Sequence, residues 1–551
     1  MSNSADVISA TSAAIALMDI SNQYKIPSRV HCEHPLRLAE SKIPGAGRGL
    51  FVLEDVKEGG LVFEVPNVLL SIVREDCLED TCDFCFAHTS AYGPTDPRPD
   101  LSFTVCDSCK ILSYCSTVCA EAAWVAYHKY ECPNFAKIAT TQPQPEGKIK
   151  LLCEEFRTIV RILSLQEAGQ LSDEEWEEIM GLIPMPIVPG GCLSVEIFEM
   201  KSLISTHKIT KLSMEDVDRI LCIYFNNRCF IQLWTPCHRS PSNIHRFQNI
   251  DVPVGECLEP FYSMINHSCI PNCSWLSQGR TLQVRVERDV AAGEELTLCY
   301  TWSDTFEERQ NKLRAWIGNC ACALCINPPR EPTGTLRAGV EKLITARGSA
   351  ATPTLARSIS LVFAIAEMEQ AGMGDAVWPM PRLYSQLFRC RYGQYDAPNM
   401  LKIWLRLYFI VEPAQRPQQI LANRNRHLAV LTFLLDMGDI DYVRLDPYPE
   451  EVVKLAPWLH YQLRALLLCH IRQCNGKDSY CCKYEEEKYE KDFGQLEIDA
   501  EAMVVQRERD YVPFFKSAES KWAFVKDMNE LLAWADVPAR SESQLLSIQS
   551  T

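Results

Sequence analysis

Asn266-His-Ser-Cys-Ile-Pro-Asn272 opens the stretch of sequence that decides the fold. Gly293-Glu-Glu-Leu-Thr-Leu-Cys-Tyr300 follows it, and Cys320-Ala-Cys-Ala-Leu-Cys325 closes the stretch. Each motif is short and only moderately specific alone, so their order and the segments around them must carry the interpretation.

The segment that joins the first two motifs has the pattern of a β-strand. Leu282, Val284 and Val286 alternate with polar residues, a period of two that gives one buried and one solvated face. We therefore predict strands over residues 255–303. Short strand-like runs such as Leu61–Val65 also predict strands over residues 31–75.

Two other regions are predicted to be helical. Between residues 148 and 230, Ser172 and Glu175 form a capping-box pattern, and Ser213 precedes apolar residues at helical spacing. After the proline-rich segment Asn327–Pro332, the chain to residue 551 carries apolar helix faces. Two of these faces are formed by Leu459, Leu463, Leu466 and Leu467, and by Phe524, Met528, Leu531 and Leu532.

The densest cysteine region lies at residues 82–132 and has the spacing of zinc ligands. Eight ligand-type residues fall in four pairs: Cys82-x2-Cys85, Cys106-x2-Cys109, Cys115-x3-Cys119 and His128-x3-Cys132. A short pair places two ligands on one knuckle or helical turn, and two pairs complete a tetrahedral site. Because the third pair lies between the members of the second site, interleaved wiring is predicted. The first and third pairs would hold one zinc ion, and the second and fourth pairs the other.

Ordinary buried cysteines are the alternative interpretation of this region. With 26 cysteines in 551 residues, seven in register with a histidine would rarely arise by chance. Since every ligand position is filled, the two sites are predicted to be structural rather than catalytic. Structural zinc would contribute on the order of 10 kcal/mol or more per site to folding a module this small.

Composition limits the classes of function. The net charge of −16 disfavours direct binding of a nucleic-acid backbone and suits a partner with basic segments. No secretory signal or apolar run long enough for a membrane span is evident, so a cysteine-rich chain of this kind is expected inside the cell, in the cytoplasm, the nucleus or both.

Upstream of the cysteine region stands Gly45-Ala-Gly-Arg-Gly-Leu50. By itself it is a glycine-rich turn, in which the backbone can approach a ligand closely. With the cysteine region and the three downstream motifs in this order, the sequence resembles the SET-and-MYND family of protein lysine methyltransferases. The resemblance covers residues 31–326 by motifs and 334–551 by helical character alone.

The resemblance implies an α+β fold in which a SET β-fold is split by a MYND zinc finger and a helical insertion, followed by an all-helical, TPR-like domain. The implied boundaries are 1–30 for a flexible extension, 31–81 for the first SET part, 82–132 for the finger, 133–230 for the helical insertion, 231–303 for the core SET domain, 304–326 for a post-SET zinc segment and 334–551 for the helical domain.

The resemblance also assigns roles to residues. The cofactor S-adenosylmethionine would be bound by Ala46, Gly47, Arg48, Asn227, Asn266, His267, Tyr300 and Trp302. Tyr300 would be catalytic. Asn226 is an alternative to Asn227, and core packing is an alternative role for Trp302. Cys269, Cys320, Cys322 and Cys325 would bind a third structural zinc ion.

The implied function is methyl transfer from S-adenosylmethionine to lysine side chains of histones or other proteins. The alternative is a catalytically weak scaffold that binds proline-rich partners in transcriptional regulation, with the MYND finger as the docking module. A membrane partner is not expected. Residues 228–253 depart from the family pattern, and their His238 and His245 are interpreted as loop residues rather than ligands.

Overall fold

The protein is described here from a computed structural model. The structure describes residues 25–89, 101–141, 153–186, 192–234, 251–301, 303–345, 355–415, 421–436, 447–477, 479, 482–491 and 518–546. Trp302, His238 and His245 lie outside these residues. The chain divides into two compact units. The first comprises Met1–Thr235, Asp251–Thr301 and Gln310–Cys322, and the second Pro236–Ile250, Trp302–Arg309 and Ala323–Thr551.

The first unit contains the strands that the structure describes. They are β1 (His31–Cys32), β2 (Leu36–Glu40), β3 (Arg48–Val52), β4 (Leu61–Val65), β5 (Leu70–Val73), β6 (Thr104–Val105), β7 (Ser113–Tyr114), β8 (Cys229–Trp234), β9 (Asp251–Leu258), β10 (Asn266–His267), β11 (Cys273–Gln278), β12 (Thr281–Val286) and β13 (Thr297–Leu298). The predicted strand at 61–65 is thus confirmed.

These strands form small sheets rather than one large sheet. A four-stranded sheet has the order β1-β4-β12-β11, and a three-stranded sheet the order β5-β9-β8. The pairs β2-β3 and β6-β7 are antiparallel, whereas β10 and β13 are parallel. In β12 the predicted alternation is confirmed, since Leu282, Val284 and Val286 are buried and the residues between them are less so.

The helices up to residue 227 belong to the zinc region and to the segment after it. They are α1 (Thr117–Ala123), α2 (Lys129–Thr141), α3 (Glu154–Glu167), α4 (Asp173–Met180), α5 (Cys192–His207) and α6 (Met214–Asn227). The Ser172–Glu175 capping box at the start of α4 is confirmed, and so is the cap that Ser213 provides for α6. Ile220, Leu221 and Tyr224 of α6 are buried in one apolar core with Phe156 and Ile159 of α3.

The later helices fulfil the prediction of a helical C-terminal region. They are α7 (Phe306–Ile317), α8 (Ala323–Ile326), α9 (Gly334–Thr345), α10 (Leu355–Gln370), α11 (Met380–Gly393), α12 (Ala397–Arg406), α13 (Glu412–Gln415), α14 (Leu421–Asp436), α15 (Glu450–Asn475), α16 (Ala518–Trp534) and α17 (Glu542–Leu546). Leu459 and Leu463 of α15 and Phe524 and Met528 of α16 are buried, as their spacing predicts.

Candidate active site and zinc sites

The glycine-rich turn ahead of β3 is open at its glycines. Gly45 and Gly47 have φ angles of 79° and 73°, which glycine adopts without strain. Chain neighbours apart, no described atom lies within 4 Å of the point where a Cβ would stand at either glycine. The space beside Gly45 and Gly47 is therefore open to a ligand. Arg48, the next residue, donates from Nη2 to the Gly181 carbonyl at 3.4 Å.

Asn266 connects this turn to the motif that contains it. Its Nδ2 donates to the Arg48 carbonyl at 2.7 Å, across 218 residues of sequence. Asn266 and His267 form β10, and their partners in parallel β13 are Thr297 and Leu298. The structure thus brings together Arg48, Asn266 and the Gly293–Tyr300 motif, which the sequence places far apart.

Glu295 holds the same turn from its other side. Its Oε1 accepts from Ser41 Oγ at 2.7 Å and from Asn266 Nδ2 at 2.8 Å, and its Oε2 accepts from the Lys42 amide at 3.0 Å. The close approach requires Gly49, where a Cβ would stand 2.2 Å from Glu295 Oε1. The role of Glu295 was not predicted from the sequence. Glu294 and Glu295 are adjacent residues of the same type, and only the fold shows that Glu294 pairs with Arg288 while Glu295 contacts the turn.

His267 and Tyr300 form the next layer of the site. The Tyr300 amide donates to His267 Nδ1 at 3.0 Å, and the two rings lie 5.2 Å apart. Because Nδ1 accepts, the proton of the neutral ring is on Nε2, which lies 3.2 Å from Cys269 Sγ. His267 is buried. Because its two ring nitrogens contact Tyr300 and Cys269, one side chain positions both the active-site candidate and the zinc-ligand candidate.

The hydroxyl group of Tyr300 is held by the protein backbone. It donates to the Ile265 carbonyl at 2.6 Å, and the ring meets Trp316 edge-on with centroids 6.3 Å apart. Burial is the chief cause that raises the pKa of Tyr300 well above its usual value, and the charges of Glu295 and Cys273 act in the same direction. The residue as a whole is 37% exposed, so it lies at the edge of the buried region.

Asn226 and Asn227, at the end of α6, both contact the Ile183 carbonyl, each donating from Nδ2 at 2.9 Å. The backbone carbonyl of Asn227 also accepts from Ser263 Oγ at 3.3 Å. Asn226 Oδ1 is buried and has no hydrogen-bond partner among the described residues. Either amide therefore stays a candidate for a ligand contact.

The ligand atoms predicted for the finger converge in two sets, wired as the spacing predicts. Within each set they lie within 4.8 Å of one another: Cys82, Cys85, Cys115 and Cys119 in one, and Cys106, Cys109, His128 and Cys132 in the other. The sulfur atom of Cys115 lies 3.5 Å from that of Cys85 and 3.6 Å from that of Cys119. Zinc–sulfur bonds of about 2.3 Å in a tetrahedron place sulfurs about 3.8 Å apart, so these sets fit zinc.

A third set fits the same geometry. The ligand atoms of Cys269, Cys320, Cys322 and Cys325 also lie within 4.8 Å of one another, with 3.9 Å between the sulfurs of Cys269 and Cys320. Gln310 braces Cys320 by accepting from its amide and donating to its carbonyl, both at 3.0 Å. By contrast, Cys469, Cys474 and Cys482 belong to no such set among the described residues.

A π-helical turn delivers the histidine of the second set. Trp124–His128 interrupts the helical run between α1 and α2, and such turns change the direction of side chains at functional positions. His128 Nε2 lies 3.7 Å from Cys109 Sγ, while Nδ1 lies 3.1 Å from Glu131 Oε1. A carboxylate behind a ligand histidine fixes its orientation. The sequence pattern gave no sign of this turn.

Buried charges connect the two finger sets. Arg161 of α3 donates from Nε to Glu131 Oε2 at 2.7 Å and from Nη2 to Asp83 Oδ2 at 2.8 Å. It also donates to the Ser71 carbonyl of β5. Burial alone would raise the pKa of Asp83, but the charge and hydrogen bond of Arg161, together with the Arg157 charge and the Tyr127 hydrogen bond, hold that pKa below its usual value. Because Asp83 follows the ligand Cys82, one arginine ties the finger to the sheet.

The sequence is similar to those of known proteins. The family model for the SET domain matches residues 47–301. Histone-lysine N-methyltransferase SMYD3 of Mus musculus is 30% identical over 306 residues, covering 53% of this chain and 61% of that protein. N-lysine methyltransferase SMYD2-B of Xenopus laevis is 24% identical over 301 residues, covering 52% and 60%. Over about half of its length, this chain is similar to these two methyltransferases.

The chain spans about three fifths of the length of these relatives. Among solved structures, Rubisco LSMT bound to sinefungin and monomethyllysine aligns over 89% of this chain and 92% of that one, with 10% identity and a TM-score of 0.28, which is too low to support a conclusion. None of the helices in the described part of the chain is both long and apolar enough to cross a membrane.

Proposed function

We propose that this protein transfers methyl groups from S-adenosylmethionine to lysine side chains of other proteins. The observation that carries the proposal is the convergence of Asn266 on the Arg48 carbonyl, next to the His267–Tyr300 pair. Relatives named lysine methyltransferases and the SET match over residues 47–301 support it.

The site has the features that an amino-acid and nucleoside ligand would require. The open backbone at Gly45 and Gly47 allows close approach, and the buried acceptor Asn226 Oδ1 is available to an N–H donor. When bound, S-adenosylmethionine supplies an electrophilic methyl group on a sulfonium. We assign its contacts to Ala46, Gly47, Arg48, Asn266 and His267, with Asn226 or Asn227 from α6. Trp302 stays a prediction, as it lies outside the described residues.

For the reaction to proceed, the residues of this chain must bind the substrate lysine with its amine in the neutral form. A lysine with a pKa near 10.4 costs about 4.6 kcal/mol to deprotonate at pH 7. An enclosed, water-poor channel lowers that cost, because it destabilises the charged amine. The Tyr300 hydroxyl donates a hydrogen bond to the Ile265 carbonyl. Its oxygen lone pairs therefore remain free to accept a hydrogen bond from the lysine amine and to orient that amine.

Substitution of Tyr300 tests this role. We expect Tyr300→Phe to lower the rate of radiolabelled methyl transfer to protein substrates by about 100-fold or more, because the phenol that orients the nucleophile is lost. Tyr395→Phe, at an exposed tyrosine of the second unit, is the control and should keep the wild-type rate. Equal rates for wild type and Tyr300→Phe would remove Tyr300 from the mechanism.

Calorimetric titration with S-adenosylmethionine separates the enzyme from the scaffold alternative. The enzyme proposal requires binding by the zinc-loaded full chain, and absence of binding would leave the scaffold. For a proline-rich partner at the finger, the supporting feature is an exposed apolar surface at Val118, Trp124 and Val125, which are 73%, 47% and 66% exposed.

The remaining assignments are proposals of the same kind. Cys82–Cys132, Cys269 and Cys320–Cys325 would hold three structural zinc ions, as their geometry supports. The grouping of these cysteines in metal-ligand sets supports residence in a reducing compartment, the cytoplasm or the nucleus. The net charge of −16 argues against nucleic acid and for substrates with basic segments. The domain boundaries given above also stay predictions.

A further inference from the structure

A fourth set of ligand-type atoms lies beside the finger and belongs to none of the three cysteine-rich sets. Cys77 ends a 3-10 turn, Glu75–Cys77, and is buried. Asp80 and His88 flank the knuckle that carries Cys82 and Cys85. The ligand atoms of Cys77, Asp80 and His88 lie within 4.8 Å of one another.

The spacing of these atoms suits a shared metal better than a direct ion pair. His88 Nε2 and Asp80 Oδ1 are 3.4 Å apart. Charge-assisted N–H···O hydrogen bonds are about 2.7–2.9 Å long, which is shorter. Two atoms bound to zinc at about 2.0–2.1 Å in a tetrahedron stand about 3.3–3.4 Å apart. The sulfur pairs of the finger show the same agreement with a tetrahedral edge.

The backbone holds two of the three residues in place independently of any metal. The Thr89 amide donates to the Asp80 carbonyl at 3.0 Å, and the Cys82 amide donates to the Ala87 carbonyl at 2.8 Å. Thr81 and His88 form an isolated antiparallel bridge. Asp80 and His88 therefore stand at the closed base of the knuckle, and Cys77 approaches from the preceding turn.

We propose that Cys77 Sγ, Asp80 Oδ1 and His88 Nε2 bind a fourth zinc ion. The combination of sulfur, nitrogen and oxygen ligands suits zinc, a borderline-soft ion. Three protein ligands leave one coordination position, and the side chain of Asp80 is 41% exposed, so water has access to it. The ion would clamp the base of the Cys82–Cys85 knuckle. This site is independent of the proposed methyl transfer.

Zinc content at equilibrium tests the proposal. The full chain is dialysed against a buffer of fixed free zinc concentration, and zinc per chain is measured by mass spectrometry. We expect about four ions in the wild type, three from the cysteine-rich sets and one from this set. Cys77→Ser and His88→Ala should each hold one ion fewer. Cys32→Ser and His34→Ala alter neighbouring residues outside all sets and should match the wild type.

Asp80→Asn is the control for misfolding, because it keeps the size of the side chain and removes only its charge. It should weaken zinc binding at one site while the other three ions are retained. A wild-type content of three ions would overturn the proposal, and so would four ions in both the wild type and the His88→Ala variant.

Discussion

Glu295 acts on the candidate site through other groups rather than on a reacting atom. Its two oxygens receive hydrogen bonds from Ser41, Lys42 and Asn266, so it fixes both the glycine-rich turn and the side chain that holds Arg48. All of these donors need an acceptor, which a carboxylate supplies with both oxygens and an amide with only one. Under the proposed function, Glu295 is therefore a positioning residue for the cofactor.

We expect Glu295→Gln to weaken S-adenosylmethionine binding by about tenfold or more, since loss of a charged hydrogen bond costs about 1.5–3 kcal/mol. Calorimetric titration measures this change. Glu294→Gln is the matched control, because Glu294 serves Arg288 and Asn272 instead. Its affinity for the cofactor should be unchanged, and equal losses in both variants would contradict a specific role for Glu295.

Tyr300 predicts a pH dependence of the reaction. Burial raises the pKa of Tyr300, so its phenol stays protonated at a pH where an exposed tyrosine ionises, near 10. The rate of methyl transfer at low peptide concentration should rise about tenfold per pH unit above pH 7, as more substrate lysine becomes neutral. A fall in rate by pH 10 in the wild type that is absent in Tyr300→Phe would show that the phenol ionises earlier than proposed.

The helices and strands that the sequence predicted are those whose pattern is carried by several residues. Alternation in β12, the capping box of α4 and the apolar spacing of α6 each involve several residues, and all three are confirmed. By contrast, β10 and β13 contain two residues each, too few for a period to be visible. The π turn at Trp124–His128 and the partners of Glu295, which lies 254 residues from Ser41, depend on tertiary contacts.

Helix α3 illustrates how an unpredicted contact supports a predicted element. Arg161 lies on its buried face and forms ion pairs with both Glu131 and Asp83. We expect Arg161→Met to destabilise the finger by about 3–5 kcal/mol, because it leaves two buried carboxylates without the arginine that pairs with both. Hydrogen exchange of the α1 and α2 amides measures the effect.

Lys57→Met is the control for this variant. Lys57 forms an exposed pair with Asp289, and exposed pairs contribute about 0–1 kcal/mol. Wild-type exchange of α1 and α2 in Arg161→Met would mean that the finger does not depend on the buried arginine.

At the scale of the whole molecule, the net charge of −16 creates a field that attracts basic segments of other proteins, including the substrates of the proposed reaction. We expect kcat/KM for a lysine peptide with flanking arginines to fall as salt rises, because screening shortens the reach of that field to about 8 Å at physiological ionic strength. A peptide with neutral flanks should be almost insensitive to salt. Equal salt dependence for the two peptides would exclude steering by net charge.

The hydrogen bond between Asn266 and Arg48 spans 218 residues, and this has a consequence for synthesis. At about 5–20 residues per second, a ribosome needs on the order of 10–40 s to make that span. The four pairs of the finger are complete well before Asn266 emerges. A nascent chain could therefore acquire its first metal ions while the turn at Gly45–Gly47 still awaits its partner, and the order of translation would set the order of assembly.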